Sequence, residues 1–440
     1  MGTQVAQTAG VPANGWDIRR VVSHALLVVV AAPLVAAGQA PPLPSPPPVA
    51  FVRVESPAKR LRYLASAQIW EEPGDLTPEA LLAGPPLRDG SGVAGALDGR
   101  PFPCTFAEPG RTMGGNTLKF MCTTATGQMI RVKYTDGSRN GNREVFSAVA
   151  ASRLLWALGF HSDPVYPITL DCRDCPSDPR SGLGSIARRS YLAIYQPQAG
   201  EPVLVDASKS DQGWRWQELD RAIDTLPAGQ LRSRQRQHFD ALMLLGVFLQ
   251  HGDRKPEQQR LACRSGLNLE AGDLRPPNNK PGSLAVLFER PGTMACETPE
   301  VSVQDIGATF GGAGRRTSGV TAKMNLKAWA ARPVFHPAPA KAQGPAAECR
   351  GQLIVSMAAG EGSLEHPRIG EAGRLFLLER LHRMTEAHLR AIFTAARIEQ
   401  MTEAHEWRDP GSQSVYTATD AWVAAFQDKV RQIEARTCAP

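Results

Sequence analysis

The stretch Arg234–Gln250 carries Phe239, Leu242, Met243, Gly246 and Val247 on one helical stripe. It runs directly into the octapeptide His251-Gly252-Asp253-Arg254-Lys255-Pro256-Glu257-Gln258. The spacing predicts a buried helix with a charged segment at its end. The remaining composition suits a globular chain that can bury such a helix: 42% of residues are hydrophobic and 21% charged, which argues against general disorder. The formal net charge of +6 over 440 residues supplies no dominant field for a polyphosphate, so no nucleic-acid partner is expected. Gly (40) and Pro (36) make up about a sixth of the chain, above the roughly 12% background, and signal long irregular connections.

Leu118–Thr123 and Met129–Thr135 read as strands joined by a turn at Thr126-Gly127. Arg143–Phe160 follows as a helix, with Phe146, Val149, Ala150, Leu154 and Leu158 at helical spacing and Gly159 near its end. Val165–Leu170 and Arg189–Tyr195 read as two further strands, completing a compact α+β unit. The second half reads as mainly helical. A loop-rich segment at 264–295 and a strand-like run Val301–Ile306 come first. A broken helix within Ile369–Ile398 and a last helix near Thr419–Ala435 close the chain. Before residue 100, one short helix is expected near Pro78–Leu82.

The N-terminus reads differently. Arg19-Arg20 precede an apolar run from Val21 to Ala37, broken by Ser23, His24 and Pro33. A basic start, an apolar middle and small residues at Ala36 and Ala37 predict a secretory signal ending near Ala37, or an uncleaved membrane anchor. The polyproline stretch at 41–49 then acts as a tether. The eight cysteines beyond it permit four disulfides, with 105 connectivities open. Cys172-x-x-Cys175 is a loop disulfide or two structural thiols; a zinc site would need a second ligand pair at similar spacing, and the chain has none.

The octapeptide resembles the catalytic loop of the protein kinase family, His-Arg-Asp-Leu-Lys-Pro-Glu-Asn, at five of its eight positions. Other parts of that family's pattern follow in the right order. Ile130-Arg131-Val132-Lys133 resembles the strand bearing the activating lysine, and Glu144 is the carboxylate on the next helix. Asp305-Ile306-Gly307 resembles the metal-binding Asp-x-Gly, with Ile306 where the family usually has Phe. Gly110, Gly114 and Gly115 lie where a glycine-bearing phosphate hairpin belongs, without a clean GxGxxG. Taken singly, these residues have plainer readings: Lys133 and Glu144 as an exposed ion pair, Asp305-Ile306-Gly307 as a strand end and turn. No Ala-Pro-Glu follows Gly307.

The resemblance implies a bilobal fold with ATP between the lobes. Residues 1–40 would be signal or anchor, 41–100 linker and N-terminal extension, 101–197 a small mainly β N-lobe with one helix, and 198–440 a larger mainly α C-lobe. Lys133, held by Glu144, would pair with the α/β-phosphates, with Gly114 and Gly115 also at the nucleotide. Asp305 and Gln258 would hold Mg or Mn; Gln258 stands where kinases keep Asn, its amide oxygen one methylene further out. Asp253 would orient or deprotonate the acceptor hydroxyl, and Lys255 would neutralise the moving phosphoryl group. Cys104 with Cys122 and Cys263 with Cys296 would be loop-closing disulfides. The implied function is an exported or membrane-tethered phosphotransferase acting on a protein or small-molecule hydroxyl, touching membrane only through its N-terminal segment. An inactive kinase-like binding module is the alternative, and a disulfide-stabilised envelope protein without nucleotide is a third.

Overall fold

The computed structural model describes residues 51–53, 57–87, 90–96, 99–108, 117–136, 142–197, 201–204, 213–252, 255–263, 286–288, 299–311, 323–337, 348–353, 366–401 and 417–439. The expected signal or anchor and the tether at 41–49 lie outside them. In chain order come β1 (Phe51–Arg53), α1 (Pro57–Ser66), α2 (Pro78–Ala83), β2 (Pro101–Ala107), β3 (Lys119–Thr124) and β4 (Met129–Thr135). Next are α3 (Glu144–Ala157), β5 (His161–Ser162), β6 (Tyr166–Cys175), β7 (Ala187–Tyr195), β8 (Glu201–Leu204), α4 (Trp216–Asp224) and α5 (Gln230–Leu249). Then follow β9 (Gln259–Cys263), β10 (Val286–Phe288), β11 (Pro299–Val303), α6 (Leu326–Ala330), β12 (Cys349–Arg350) and β13 (Arg368–Ile369). Three helices finish the chain: α7 (Glu371–His382), α8 (Glu386–Ala395) and α9 (Ala418–Glu434).

Five strands close into a barrel in the order β2-β3-β4-β7-β6. Along β3 every second residue is buried, as a strand with one face on a core requires. Phe102, Phe120, Ile130, Val132, Tyr166, Ile168 and Leu170 fill the interior. Antiparallel pairing joins four of the seams, and β2 closes the ring against β6 in parallel, with Cys104 opposite Cys172. Cys104 and Cys122 link β2 to β3 as a disulfide, Cα atoms 5.7 Å apart, in agreement with the pairing the resemblance implied. Cys172 and Cys175 form a second disulfide, inside β6 at a break in register rather than in a loop. A third, Cys349–Cys438, ties β12 to the segment after α9. Of the expected Cys263–Cys296 pair, Cys263 ends β9 and Cys296 lies outside the described residues.

The helix read from one apolar stripe, α3, is buried on all sides; even Ser147, Ser152 and Arg153 are covered. It lies between the barrel and the larger helical part, so two packing faces replace one. Arg153, fully buried, donates to the carbonyls of Leu81 (3.0 Å), Ala83 (3.2 Å) and Val165 (3.0 Å). Two of those carbonyls close the C-terminal end of α2, where intrahelical partners run out. The guanidinium is thereby compensated in a setting where an unpaired charge would be costly.

The second half is less exclusively helical than its sequence suggests. A six-stranded sheet, β10-β1-β8-β9-β11-β5, runs through it, and β9 pairs antiparallel with β11 across the intervening insertion. Residues 57–83, placed by sequence in the linker and extension, carry α1 and α2. Tyr63, Leu64, Ala65 and Leu81 join the main core. Arg60 of α1 forms a bidentate pair with Glu218 of α4 and also donates to the Gly213 carbonyl (2.9 Å). Among the described residues no helix is long and apolar enough to cross a membrane.

The Cys349–Cys438 bridge closes a loop with a sequence separation of 89 residues. Replacing both cysteines with alanine is expected to destabilise the protein by about 2–5 kcal/mol, measured by urea unfolding under non-reducing conditions.

Candidate functional site

Three of the sequence-derived site residues meet where the barrel, α3 and the segment after β11 come together. Lys133 sits near the end of β4, paired in register with Lys119 on β3 and Ile194 on β7. Its Nζ donates to Asp305 Oδ1 at 2.5 Å and to Glu144 Oε2 at 3.3 Å. Glu144 opens α3, where a carboxylate also favours the positive end of the helix dipole. Its second oxygen accepts from Thr117 Oγ1 at 2.8 Å and from the Lys323 ammonium.

The backbone is locked so that these side chains meet. Asn142 donates to the Tyr134 carbonyl (3.1 Å) and accepts from the Glu144 N–H (3.1 Å), joining the end of β4 to the start of α3. The second of these bonds satisfies an N-terminal amide of α3. Ser147, one turn along, donates to the Gly307 carbonyl at 2.5 Å. A Cβ at Gly307 would lie 2.9 Å from Glu144 Cγ, closer than such atoms approach, so glycine is required there by contact. Asp305 adopts a left-handed conformation (φ 45°), which aspartate tolerates better than most residues.

Burial works against the charge on each member, and the partners overcome it. Glu144 loses solvation, but Lys133 and Lys323 hold its carboxyl below the ordinary carboxylate range. Asp305 is likewise disfavoured by burial and brought down by the charge and hydrogen bond of Lys133. Burial opposes the Lys133 ammonium, and Asp305 and Glu144 raise it above an ordinary lysine. Lys133 and Glu144 side chains are almost fully covered, whereas Asp305 keeps 32% of its side chain open. The cluster therefore has a buried floor and one accessible carboxylate.

The octapeptide is bound to the same segment. Gly252 N–H donates to the Ala308 carbonyl (2.8 Å), Phe310 N–H to Leu249 (2.7 Å) and Gln304 N–H to Gln258 (2.9 Å). His251 and Gly252 are buried, and Lys255 is exposed at the start of a short turn at 256–258. Gln258 thus joins the site through its backbone, adjacent to the residue before Asp305. Asp253, Gly114 and Gly115 lie outside the described residues. Thr117, Asn142, Ser147 and Lys323 were not singled out by sequence. Asn142 had a local signal, an amide side chain just ahead of a helix; Lys323 had none.

No family model matches the chain, and no curated protein matches it. Among solved structures, the crystal structure of a Helicobacter pylori proinflammatory kinase, CtkA, aligns with 77% of this chain and 98% of that one. The TM-score is 0.34 and the sequence identity 11%.

The depressed carboxylates stabilise the fold above the ordinary carboxylate range and lose that contribution as pH falls through their folded values. The raised lysine contributes below about 10.5 and loses its contribution as pH rises past its folded value. The cluster's contribution is therefore flat through neutral pH. Lys133→Met is expected to cost about 3 kcal/mol at pH 7, the low end for breaking a buried pair, because Lys323 remains on Glu144 and Asp305 is partly solvated. That deficit shrinks as pH falls and the Asp305 carboxylate, left buried without Lys133, protonates, which denaturant unfolding as a function of pH will measure.

Proposed function

We propose that this chain is an exported or membrane-tethered kinase-like phosphotransferase that moves the γ-phosphate of ATP to a protein or small-molecule hydroxyl. The observation that carries the reading is one ammonium, Lys133, bonded at once to a carboxylate on the following helix, Glu144, and to Asp305 of the Asp-Ile-Gly turn. Phosphoryl transfer needs placed charge more than covalent chemistry by the protein. Lys133 would turn from Asp305 to the α/β-phosphates while Glu144 keeps it in place. Asp253 would orient the acceptor hydroxyl and take its proton, and Lys255 would offset charge on the transferring group. Gly114 and Gly115 would line the phosphates from the β2–β3 connection.

Asp305 and Gln258 offer carboxylate and amide oxygens, the donor type that Mg and Mn take. The partial exposure of Asp305 fits such a role, since a ligand must reach it from solvent. When bound, the metal supplies charge neutralisation at the phosphates. The bilobal arrangement belongs to the same reading, with the barrel and α3 as the small lobe. Three disulfides among the described residues support an extracytoplasmic, oxidising setting.

Gln258 favours a second reading, an inactive binding module, because its longer side chain replaces the metal-binding Asn of the resembled motif. Thermal shift with ATP and Mg²⁺ or Mn²⁺, beside ADP formation, separates the two. The wild type is expected to show a nucleotide-dependent shift that Lys133→Ala and Asp305→Ala abolish. Asp253→Ala is expected to keep the shift and lose turnover. A wild-type shift without turnover, unchanged by Asp253→Ala, makes the chain a binding module; no shift overturns both readings.

A further inference from the structure

A second polar cluster lies apart from Lys133, on the sheet that carries β11. One ligand atom from each of Glu71, His161 and Glu300 falls within 4.8 Å of the other two, with His161 Nδ1 at 3.7 Å from Glu300 Oε2. His161 and Glu300 are buried, at 4% and 6% exposure, and Glu71 is exposed. We propose that these three side chains bind a divalent first-row transition cation, zinc or manganese, that clamps the residue-71 segment, the strand after α3 and β11 together.

The sheet register aligns the donors. Ser302 on β11 pairs with His161 on β5, and residues paired this way put their side chains on one face. Glu300, two residues before Ser302, shares that face because strand side chains alternate. The Ser302 hydroxyl is buried at 2% exposure and makes no hydrogen bond. A buried hydroxyl without a partner on the same face as this imidazole and carboxylate would serve as a fourth donor, or hold a metal-bound water. Opposite Glu300, β9 presents Ala262, which keeps that end of the face open.

Arg260, opposite Ser302, donates to Asp163 Oδ1 at 2.5 Å, so that cation is matched to that carboxylate. Among the described residues, Glu71 and Glu300 gather around His161. Two carboxylates and an imidazole, two of the three side chains buried, form the nitrogen–oxygen donor set that zinc and manganese accept.

Glu71 is delivered by a built approach. Its N–H donates to the Gly159 carbonyl at 3.0 Å, and Trp70 Nε1 donates to the Leu158 carbonyl at 2.7 Å. Gly159 has φ 81°, and a Cβ there would collide with the Glu71 carbonyl and the Trp70 indole. On the other side, Gln68 N–H donates to Pro299 (2.7 Å) and Val301 N–H to Gln68 (2.9 Å). Bonds of about 2.1 Å at tetrahedral angles need donors about 3.4 Å apart, close to the 3.7 Å between His161 and Glu300, and the exposed Glu71 side chain can rotate toward them.

The site does not depend on the phosphotransferase reading, and the test keeps them apart. Full-length chain, freed of any affinity tag and kept non-reduced, is stripped with chelator and titrated with Zn²⁺ without nucleotide. Bound metal is counted by mass spectrometry of the dialysed protein, and melting is followed in parallel. One equivalent and a higher melting temperature are expected for the wild type and equally for Asp305→Asn. Glu71→Gln, at an exposed position, is expected to weaken binding about tenfold or more with unchanged circular dichroism; His161→Gln should act alike where it folds. No stoichiometric metal in the wild type, full affinity in Glu71→Gln, or loss of binding in Asp305→Asn would each overturn the proposal.

Discussion

The ammonium of Lys133 is the point on which the architecture turns, because it satisfies two carboxylates delivered by different parts of the chain. Glu144 comes from the start of α3 and Asp305 from the turn after β11. Charges moved out of water are costly unless paired at good geometry, so each backbone must be held independently of the ion pairs. Asn142 holds the start of α3 to β4, and Ser147 holds α3 to Gly307. With Lys323 also on Glu144, the cluster contains two cations and two carboxylates, and its burial is electrically balanced.

Position of the cluster follows from how α3 is buried. A helix with one apolar stripe would have rested on the barrel alone and left Glu144 at a surface. Ala148, Ala150 and Ala151 instead let neighbours approach closely, and Arg153 is absorbed by three carbonyls. The helix then serves as the common wall of the barrel core and the larger core. Residues at its N-terminal end are within reach of both β4 and the turn after β11.

What was legible in the sequence was what local spacing encodes. The strands around Thr126-Gly127 and helices α3, α5 and α9 lie within a few residues of their expected bounds, and the broken helix expected within Ile369–Ile398 is α7 and α8. Helix α1 was missed because its burial depends on α4, whose Glu218 is 158 positions from Arg60. Closure of the barrel by parallel pairing of β2 with β6 has no local signal either. At the site, Lys133, Glu144 and Asp305 could be named only together, through the order of motifs that the resemblance implies, since each taken singly has a plainer reading. Thr117 and Lys323 reach Glu144 from connections whose course depends on the whole fold.

The position of Lys323 shows how that dependence works. Leu249 and Gly252, on either side of the left-handed Gln250, bond to Phe310 and Ala308, so the end of α5 and the segment after Asp305 are cross-braced. From that brace Met324 N–H donates to Thr309 and Asn325 N–H to Phe310, and Asn325 then caps α6. Lys323 is therefore delivered to Glu144 by backbone pairing on the residues that follow it, not by its own charge. The brace also fixes both flanks of the Asp253 segment, Gly252 through Ala308 and Gln258 through Gln304. A single set of main-chain bonds thus sets the distance between Asp305, Lys323 and the ends of the charged octapeptide. Side chains in that region tune a geometry that the backbone has already imposed.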